Sequence, residues 1–268
     1  MGIKKLQARV GIIGGNGWLG NAIAQALIAT EAIDPACLTL SGRSDNRGTA
    51  QFPGVHWTKD NDELVDRSSV VVLSVRPDQF AGVHIAASGK LVVSVMASVP
   101  AHVIAERTGA TEIVRAIPNA AAAIRRSFTP WYATPPVSAE NRQLVQALFD
   151  PCGEAAEVPL EAHIDYCVGM TGSGAAFPAL LAQAMIAHAV AQGLPPAFAR
   201  RAAKGVVAGA SRLLAGENDD PEQIVQAMID YRGTTAAALE AMIDRGFTKS
   251  VAAGLEAAAA RAATMVTS

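Results

Sequence analysis

Three glycines near the start of the chain have the spacing that binds phosphate. Gly15, Gly17 and Gly20 follow an apolar run and open a helical pattern, as in the Gly-x-Gly-x-x-Gly fingerprint of dinucleotide-binding folds. In that fingerprint the first glycine permits a tight turn, the second admits a pyrophosphate to the backbone, and the third lets the helix pack closely on the strand. An ordinary strand–helix turn could carry the same glycines. We predict a nucleotide site formed by Gly15, Asn16, Gly17, Trp18, Leu19 and Gly20.

The loop after the second apolar run indicates which nicotinamide coenzyme binds. In this fold a carboxylate there accepts from the ribose 2′-hydroxyl of NAD, whereas basic and hydroxyl side chains bind the 2′-phosphate of NADP. The run ends at Ser41 without a carboxylate, and the planar guanidinium of Arg43 follows, with Ser44 as a further donor. We therefore expect NADP (NADPH) rather than NAD. The alternative is a solvated loop in which Asp45 pairs with Arg43 or reaches the ribose.

The composition argues against several classes of partner. The 268-residue chain is 50% hydrophobic, carries a net charge of −2 and has no block of Lys or Arg, so we expect no nucleic-acid partner. No apolar stretch free of polar residues is long enough for a membrane span, and no apolar secretion signal follows the first residues, so we expect a cytoplasmic protein. Cys37, Cys152 and Cys167 are predicted to be reduced, buried thiols, and no Cys/His cluster has metal-ligand spacing.

The elements that would position the nucleotide site lie in the first half of the chain. Short β-rich runs alternate with helical patterns there, which predicts right-handed crossovers and a parallel sheet covered on both faces. The ligand should then lie at the carboxyl ends of the strands. The expected strands are Val10–Ile13, Leu38–Ser41, 70–75, 91–95 and Glu112–Ala116.

The second half of the chain is predicted to be helical. After residue 158 the β-rich runs stop, and a long apolar segment runs from about 162 to 192. Further helices are expected up to Leu214, after an N-cap at Asp220, and after Gly233 and Phe247. The predicted fold class is α/β, with a Rossmann-type dinucleotide-binding domain over residues 1–157 and an all-helical domain over residues 158–268. The small residues of the last helix suit close packing, including packing between two chains.

Several motifs in this order resemble those of pyrroline-5-carboxylate reductase. Besides the glycine turn and residues 41–44, they are Val75-Arg76-Pro77, residues 115–119, Glu161 with residues 171–176, and residues 233–239. The likeness covers nearly the whole chain. It implies NADPH-dependent reduction of a cyclic imine, 1-pyrroline-5-carboxylate, to L-proline. It also implies a helical domain that forms a homodimer or larger assemblies of dimers, and a substrate site completed by the partner chain.

The resemblance also suggests roles for individual residues. Gly233, Thr234 and Thr235, at a helix start, would supply N–H groups and hydroxyls to the substrate carboxylate, with Thr235 nearest the imine nitrogen. One threonine could instead be an N-cap. Ser173 and Gly174 would let the long helix approach the nicotinamide and the substrate, or would only permit close helix packing. Glu161 is interpreted as a first-turn helix carboxylate, and Asn119 as an amide ligand or a turn residue. The remaining expected cofactor contacts are Val75, Arg76, Pro77 and Ala97.

The chain departs from the family most where substrate would bind. Asp230-Tyr231-Arg232 stands in place of Ser-Pro-Gly, which puts a cation beside the expected carboxylate site. One hypothesis is that Arg232 pairs with an acidic group on a substrate other than pyrroline-5-carboxylate. The alternatives are that it pairs with Asp230 or points to solvent. Other departures are Arg76 for lysine, Val168 for threonine, Ala175 for proline, and a glycine turn one residue later.

Two other function classes compete with the reductase. A β-hydroxyacid dehydrogenase shares the nucleotide domain but relies on a lysine in the long helix, and this chain has no lysine between Lys90 and Lys204. A non-catalytic nucleotide-binding homologue is the third class, since the altered residues 230–232 leave catalysis open.

Overall fold

The structure, a computed structural model, describes residues 5–43, 52–174, 176–215 and 220–264. It divides into two compact units, one comprising Met1–Ser173 with Ala257–Ser268 and the other Gly174–Glu256. The first unit therefore includes residues 158–173, which the predicted domain boundary at residue 157 assigned to the helical domain.

The first unit is built on an eight-stranded sheet. Its strands are β1 (Val10–Ile13), β2 (Leu38–Ser41), β3 (His56–Thr58), β4 (Val70–Leu73), β5 (Leu91–Ser94), β6 (Glu112–Ala116), β7 (Ser127–Ala133) and β8 (Gly153–Glu157). Their order across the sheet is β3-β2-β1-β4-β5-β6-β7-β8. The order reverses between β1 and β4, which is the switch point where doubly wound sheets bind ligands.

The prediction of a parallel sheet is confirmed for the five strands that it named, β1, β2, β4, β5 and β6, and the sheet extends beyond them. All pairs from β3 to β6 are parallel, but β7 runs antiparallel to β6 and parallel to β8. β8 coincides with the last β-rich run before residue 158. Neither β3 nor β7 was predicted: β3 has three residues, and Pro130 interrupts the pattern of β7.

Helices cover both faces of the sheet. The first unit contains α1 (Trp18–Ala29), α2 (Asn61–Arg67), α3 (Pro77–Phe80), α4 (Ala101–Thr108), α5 (Ala139–Phe149) and α6 (Glu161–Cys167). Alternate residues of β1, β4 and β5 enter two separate apolar clusters: Ile12, Val72 and Val93 belong to one, and Ile13, Val71 and Val92 to the other. The central strands are therefore buried on both sides, as their continuous apolar runs predicted.

The second unit is helical, as predicted. It contains α7 (Ala176–Ala191), α8 (Pro196–Lys204), α9 (Pro221–Asp230) and α10 (Thr234–Asp244), and α11 (Phe247–Thr264) begins in it. A π-helical turn, Gly205–Gly209, and a 3-10 turn, Ala210–Ala215, follow α8. The side chain of Asp220 accepts from the Glu222 N–H at 3.0 Å, which confirms the predicted N-cap of α9.

The long apolar segment is not one regular helix. A π-helical turn, Val168–Gly172, separates α6 from the residues that precede α7. By length and composition the apolar stretch Glu161–Ala191, whose described residues are mainly helical, would suffice to cross a membrane, with a mean hydropathy of 1.5 and an unburied apolar window. It also carries polar residues, among them Glu161, Asp165 and His188.

The three cysteines differ in burial, which corrects the prediction that all are buried. Only Cys152 is buried, whereas Cys37 and Cys167 are half-buried; all three are free thiols. Burial raises the pKa of Cys152 to about 12 and also raises the pKa of Cys167. Neither raised pKa favours the reactive thiolate.

Candidate active site

The glycine turn after β1 is organised around the backbone of Gly14. Gly14 has φ +85°, and a Cβ there would lie 2.4 Å from the carbonyl oxygen of Ser74. A Cβ on Gly17 or Gly20 would lie 3.0 Å or 2.6 Å from the carbonyl oxygen of Gly14 itself. The turn therefore has no room for a side chain at Gly14 or Gly20 and little room for one at Gly17.

Gly14, and not Gly15, takes the left-handed conformation of the tight turn. Gly15 has a different role: its N–H donates to the Ser41 carbonyl at 2.8 Å, and a Cβ would lie 2.9 Å from Cβ of Leu40 on β2. The predicted reason for Gly15 is thus corrected. The lack of a side chain at Gly15 admits the neighbouring strand.

The start of α1 presents backbone donors beside this turn. The first bond of the helix runs from the Asn21 N–H to the Gly17 carbonyl at 2.9 Å. The N–H groups of Trp18, Leu19 and Gly20 therefore have no acceptor inside the helix, and they lie at its positive end. Such a row of donors binds a pyrophosphate.

A cavity of about 980 Å³ opens at the carboxyl ends of the strands in the first unit. This volume is at the upper end of the range for small-molecule sites. Eight predicted cofactor contacts line it: Asn16, Gly17, Trp18, Leu19, Ser41, Arg43, Val75 and Arg76. The switch-point geometry thus brings together residues that the sequence placed in three separate motifs.

The cavity also contains residues that the sequence analysis missed. They are Ile13, Gly14, Gly42, Lys59, Asn61, Ser74, Asp78, Gln79, Gly82, Val83 and Val95. Ser74 lies near the carboxyl end of the predicted strand 70–75 and directly follows the observed β4, so it could have been inferred from that position. Lys59 and Asn61 follow β3, whose short pattern gave no signal.

Several predicted cofactor residues do not line this cavity. Gly15 packs against Leu40 of β2 and Gly20 against the carbonyl of Gly14, and neither lines the cavity. Pro77 and Ala97, which come after β4 and β5, do not line it either. Ser44 lies outside the described residues. The side chain of Asn119 accepts from the Ala121 N–H at 2.9 Å and donates to the Thr171 carbonyl at 3.0 Å. These bonds favour the turn role of Asn119 over an amide ligand.

Two polar contacts shape the cavity wall. Ser41 donates from Oγ to Oδ1 of Asn61 at 2.7 Å, which joins β2 to the first residue of α2. Arg76 donates to both carboxylate oxygens of Asp78 in an exposed bidentate pair. Because the ion pair between Arg76 and Asp78 is exposed, it contributes little to stability. The two hydrogen bonds nevertheless fix the direction of the Arg76 guanidinium.

The turn between β3 and α2 is held by a small hydrogen-bonded cluster. Glu63 accepts from Thr58 at 2.5 Å and contacts Nε2 of His56 at 2.7 Å. The hydrogen bond from Thr58, and then that from His56, hold the pKa of Glu63 below its ordinary value. A lowered carboxyl pKa stabilises the fold above the unfolded pKa, and this stabilisation is lost as the pH falls through the folded pKa.

Glu161 has a role beyond a helix-end carboxylate, which corrects its interpretation. Arg115 on β6 has a side chain only 1% exposed, and it donates to Oε1 of Glu161 and Oδ1 of Asp165, each at 2.7 Å. The same Glu161 oxygen accepts from the Ala101 N–H at the start of α4. These bonds anchor α6 to the sheet and to α4.

The threonine pair begins α10 in the second unit. Gly233 is the N-cap residue and no side chain caps this helix, so the alternative of a threonine N-cap is wrong. Thr234 and Thr235 occupy the first two helical positions and are exposed in the chain. Their hydroxyls and N–H groups can therefore face a ligand.

Arg232 precedes this helix in a left-handed conformation, φ +56°. This backbone costs a non-glycine residue roughly 1 kcal/mol. Its predicted alternative partner, Asp230, instead accepts from Gln226 at 2.9 Å, and the structure records no ion pair for Arg232 within the described residues. Ser173, at the end of the first unit, donates from Oγ to the Val168 carbonyl at 3.2 Å.

Two family models match successive parts of the chain. Residues 9–98 match "NADP oxidoreductase coenzyme F420-dependent" and residues 161–265 match "Pyrroline-5-carboxylate reductase dimerisation". Pyrroline-5-carboxylate reductase of Synechocystis sp. is 30% identical over 262 residues, which cover 94% of this chain and 96% of that protein. The chain belongs to the pyrroline-5-carboxylate reductase family.

Solved structures of this reductase family share the fold. The Coxiella burnetii pyrroline-5-carboxylate reductase is 27% identical, with a TM-score of 0.86 over 95% of this chain and 97% of that one. The Plasmodium falciparum pyrroline carboxylate reductase, solved with NADP bound, is 21% identical, with a TM-score of 0.82 over 98% and 99%. The reductase fold therefore extends over nearly the whole chain. The chain is thus a nicotinamide-dependent oxidoreductase of the class that acts on CH–NH bonds.

Proposed function

We propose that this protein reduces 1-pyrroline-5-carboxylate to L-proline with NADPH. The observation that carries this proposal is the family relationship over the full length of the chain, together with a nucleotide cavity at its switch point. A β-hydroxyacid dehydrogenase is disfavoured because no lysine lies between Lys90 and Lys204, so the long helical segment from about residue 162 to 192 lacks one. The proposed location in the cytoplasm stays a prediction.

The residues of the cavity fit a dinucleotide. The N–H row of Trp18, Leu19 and Gly20 would hold the pyrophosphate, and Arg43 would face the 2′-phosphate at the end of β2. The preference for NADP over NAD is supported by the absence of a carboxylate among the described residues between Ser41 and Arg43. The bound coenzyme supplies the hydride.

The protein's part in the reaction is to bind and orient the imine. We assign the substrate carboxylate to the N–H groups and hydroxyls at the start of α10. Thr235 Oγ1 accepts from the N–H of the protonated imine, with Thr234 beside it. As hydride adds to the imine carbon, the electron pair of the C=N bond moves to nitrogen, which already holds its proton. No strong acid is needed for this step.

We propose a homodimer formed through the helical unit. Large apolar side chains of this unit are exposed in the single chain, including Leu180 at 64%, Val206 at 52% and Leu213 at 73%. An exposed apolar surface of this kind is typical of a subunit interface. The match of residues 161–265 to a dimerisation model supports the same assembly.

Replacement of Thr235 by alanine tests the substrate site. We expect Thr235→Ala to lower kcat/KM for pyrroline-5-carboxylate by about 10- to 100-fold, because one hydrogen bond to a charged group is lost. NADPH oxidation at 340 nm measures the rate, and the coenzyme Kd should stay unchanged. Thr235→Ser is the matched control and should keep most of the activity. Equal activity of the alanine and wild-type proteins would remove Thr235 from the mechanism.

Arg232 offers a second substrate class, a cyclic imine with an additional acidic group. Arg232 directly precedes Gly233, the N-cap residue of α10, and within the described residues no ion pair with Asp230 is recorded. We expect Arg232→Gly to raise KM for a dicarboxylic cyclic imine about tenfold, while KM for pyrroline-5-carboxylate changes less than twofold. Arg245→Gln, which changes a cation at the other end of α10, is the control. If Arg232→Gly changed the KM of both substrates by the same factor, this role would be contradicted.

A further inference from the structure

One wall of the cavity is formed by a single short segment, residues 76–83. Five residues of this segment line the cavity: Arg76, Asp78, Gln79, Gly82 and Val83. The segment follows β4 at the switch point and contains α3, which has only four residues. Because helix nucleation is unfavourable, a single helical turn is not stable in water by itself. The conformation of this wall must therefore depend on contacts with other elements.

Apolar burial holds the segment on its inner side. Phe80 and Val83 are 3% and 7% exposed, and both belong to one of the two apolar clusters that cover the sheet. The N–H groups of Gly82 and Val83 donate to the Gln79 and Phe80 carbonyls, each at 3.0 Å. Between the two buried side chains, Ala81 and Gly82 are exposed. Burial alone therefore leaves the end of α3 without support on its outer side.

A cation from the neighbouring helix supports this outer side. Arg107, in the last turn of α4, donates from Nη2 to the Ala81 carbonyl at 2.6 Å. Its guanidinium carbon also lies over the ring of Phe80, 5.1 Å from the centroid. The last carbonyls of a helix lack acceptor partners within the helix, and a guanidinium can donate to them. Arg107 therefore caps α3 from another element, and it does not itself line the cavity.

We infer that Arg107 is a positioning residue for the coenzyme, which holds the wall formed by residues 76–83 in the conformation that binds a dinucleotide. The inference rests on the proposed NADPH-dependent function. When only a fraction of the molecules has the binding conformation, the apparent Kd of the ligand rises by the inverse of that fraction. Since Arg107 acts through the wall and does not touch the coenzyme, its loss should weaken NADPH and NADH by the same factor.

Replacement of Arg107 tests this inference on the full-length protein. We expect Arg107→Ala to raise the Kd of NADPH and of NADH equally, by about fivefold to tenfold, because a charge-assisted hydrogen bond and a cation–π contact are lost at an exposed site. Quenching of tryptophan fluorescence measures both constants. The kcat at saturating NADPH and the KM of pyrroline-5-carboxylate should stay unchanged. Arg107→Lys keeps a cation near Phe80 and should bind both coenzymes within about threefold of wild type.

Hydrogen exchange of the wall itself separates positioning from a general loss of stability. Without coenzyme, the amides of Gly82 and Val83 should exchange about tenfold faster in Arg107→Ala than in wild type, and saturating NADPH should restore their protection. Arg67→Ala is the matched control, since it removes an exposed arginine from the last turn of α2 that does not line the cavity. Both dissociation constants and the exchange of these two amides should be unchanged in that variant.

Three results would overturn the inference while leaving the reductase function intact. They are unchanged coenzyme binding in Arg107→Ala, a loss confined to NADPH, and a raised Kd without faster exchange of Gly82 and Val83. If wild-type protein binds neither coenzyme, the proposed function itself is wrong.

Discussion

Gly14→Ala is expected to abolish coenzyme binding, with a rise of at least about 100-fold in the Kd of NADPH. A methyl group on Gly14 would lie 2.4 Å from the carbonyl oxygen and 2.8 Å from the carbonyl carbon of Ser74, which are backbone atoms that cannot move aside. The Gly14 carbonyl also accepts from the Gly17 N–H at 2.8 Å, so any shift of Gly14 displaces the start of α1. The donors that face the pyrophosphate would be lost together.

A second glycine separates this clash from backbone strain alone. Gly89 also has a positive φ, +73°, but nothing lies within 4 Å of a Cβ there. Gly89→Ala should therefore cost roughly 1 kcal/mol of stability through its left-handed backbone and leave the Kd of NADPH unchanged. Binding of NADPH by Gly14→Ala within tenfold of wild type would show that this turn is not the coenzyme site.

Arg115→Met is expected to lower the free energy of unfolding of the first unit by about 3 kcal/mol. The change leaves Glu161 and Asp165 without their cation, and breaking a buried ion pair from one side costs more than removing both partners. Glu161 and Asp165 are 32% and 48% exposed, so water relieves part of the penalty and the lower end of the usual range applies. All three tryptophans belong to the first unit, so fluorescence during urea unfolding reports on it.

Two further variants show whether charge or shape is responsible. Arg115→Lys keeps the charge but cannot reach both carboxylates in the bidentate manner of a guanidinium, so an intermediate loss is expected. Replacing Arg115 by Met together with Glu161→Gln and Asp165→Asn should recover most of the stability. A loss below about 1 kcal/mol for Arg115→Met alone would show that the cluster is not a structural anchor.

The central strands of the sheet could be predicted from the sequence because each is determined by the residues of its own segment. Each central strand is a short, continuous apolar run, and the crossover rule then fixes its neighbours. Lys59 escaped prediction because β3 has only three residues and its place beside β2 depends on a pairing that is distant in sequence. The antiparallel β7 was hidden because Pro130 breaks the pattern typical of a strand.

The glycine turn was located correctly, but the roles of its glycines were not. The spacing of Gly15, Gly17 and Gly20 matches the fingerprint, yet the positive φ belongs to Gly14. Which glycine turns the chain depends on the carbonyl of Ser74 at the end of β4, far away in sequence. The roles of Asn119 and Glu161 were uncertain for the same reason, since their partners come from other elements.

The ion cluster of Arg115 bears on how the chain can be dissected. Glu161 and Asp165 come after the last strand, yet both neutralise a cation that lies inside the sheet. A nucleotide-binding fragment that stopped at residue 157 would keep the arginine and discard its two counter-ions. A fragment that extends to Ser173 would retain them. The carboxyl-terminal boundary of such a fragment therefore belongs after α6 and not directly after the last strand.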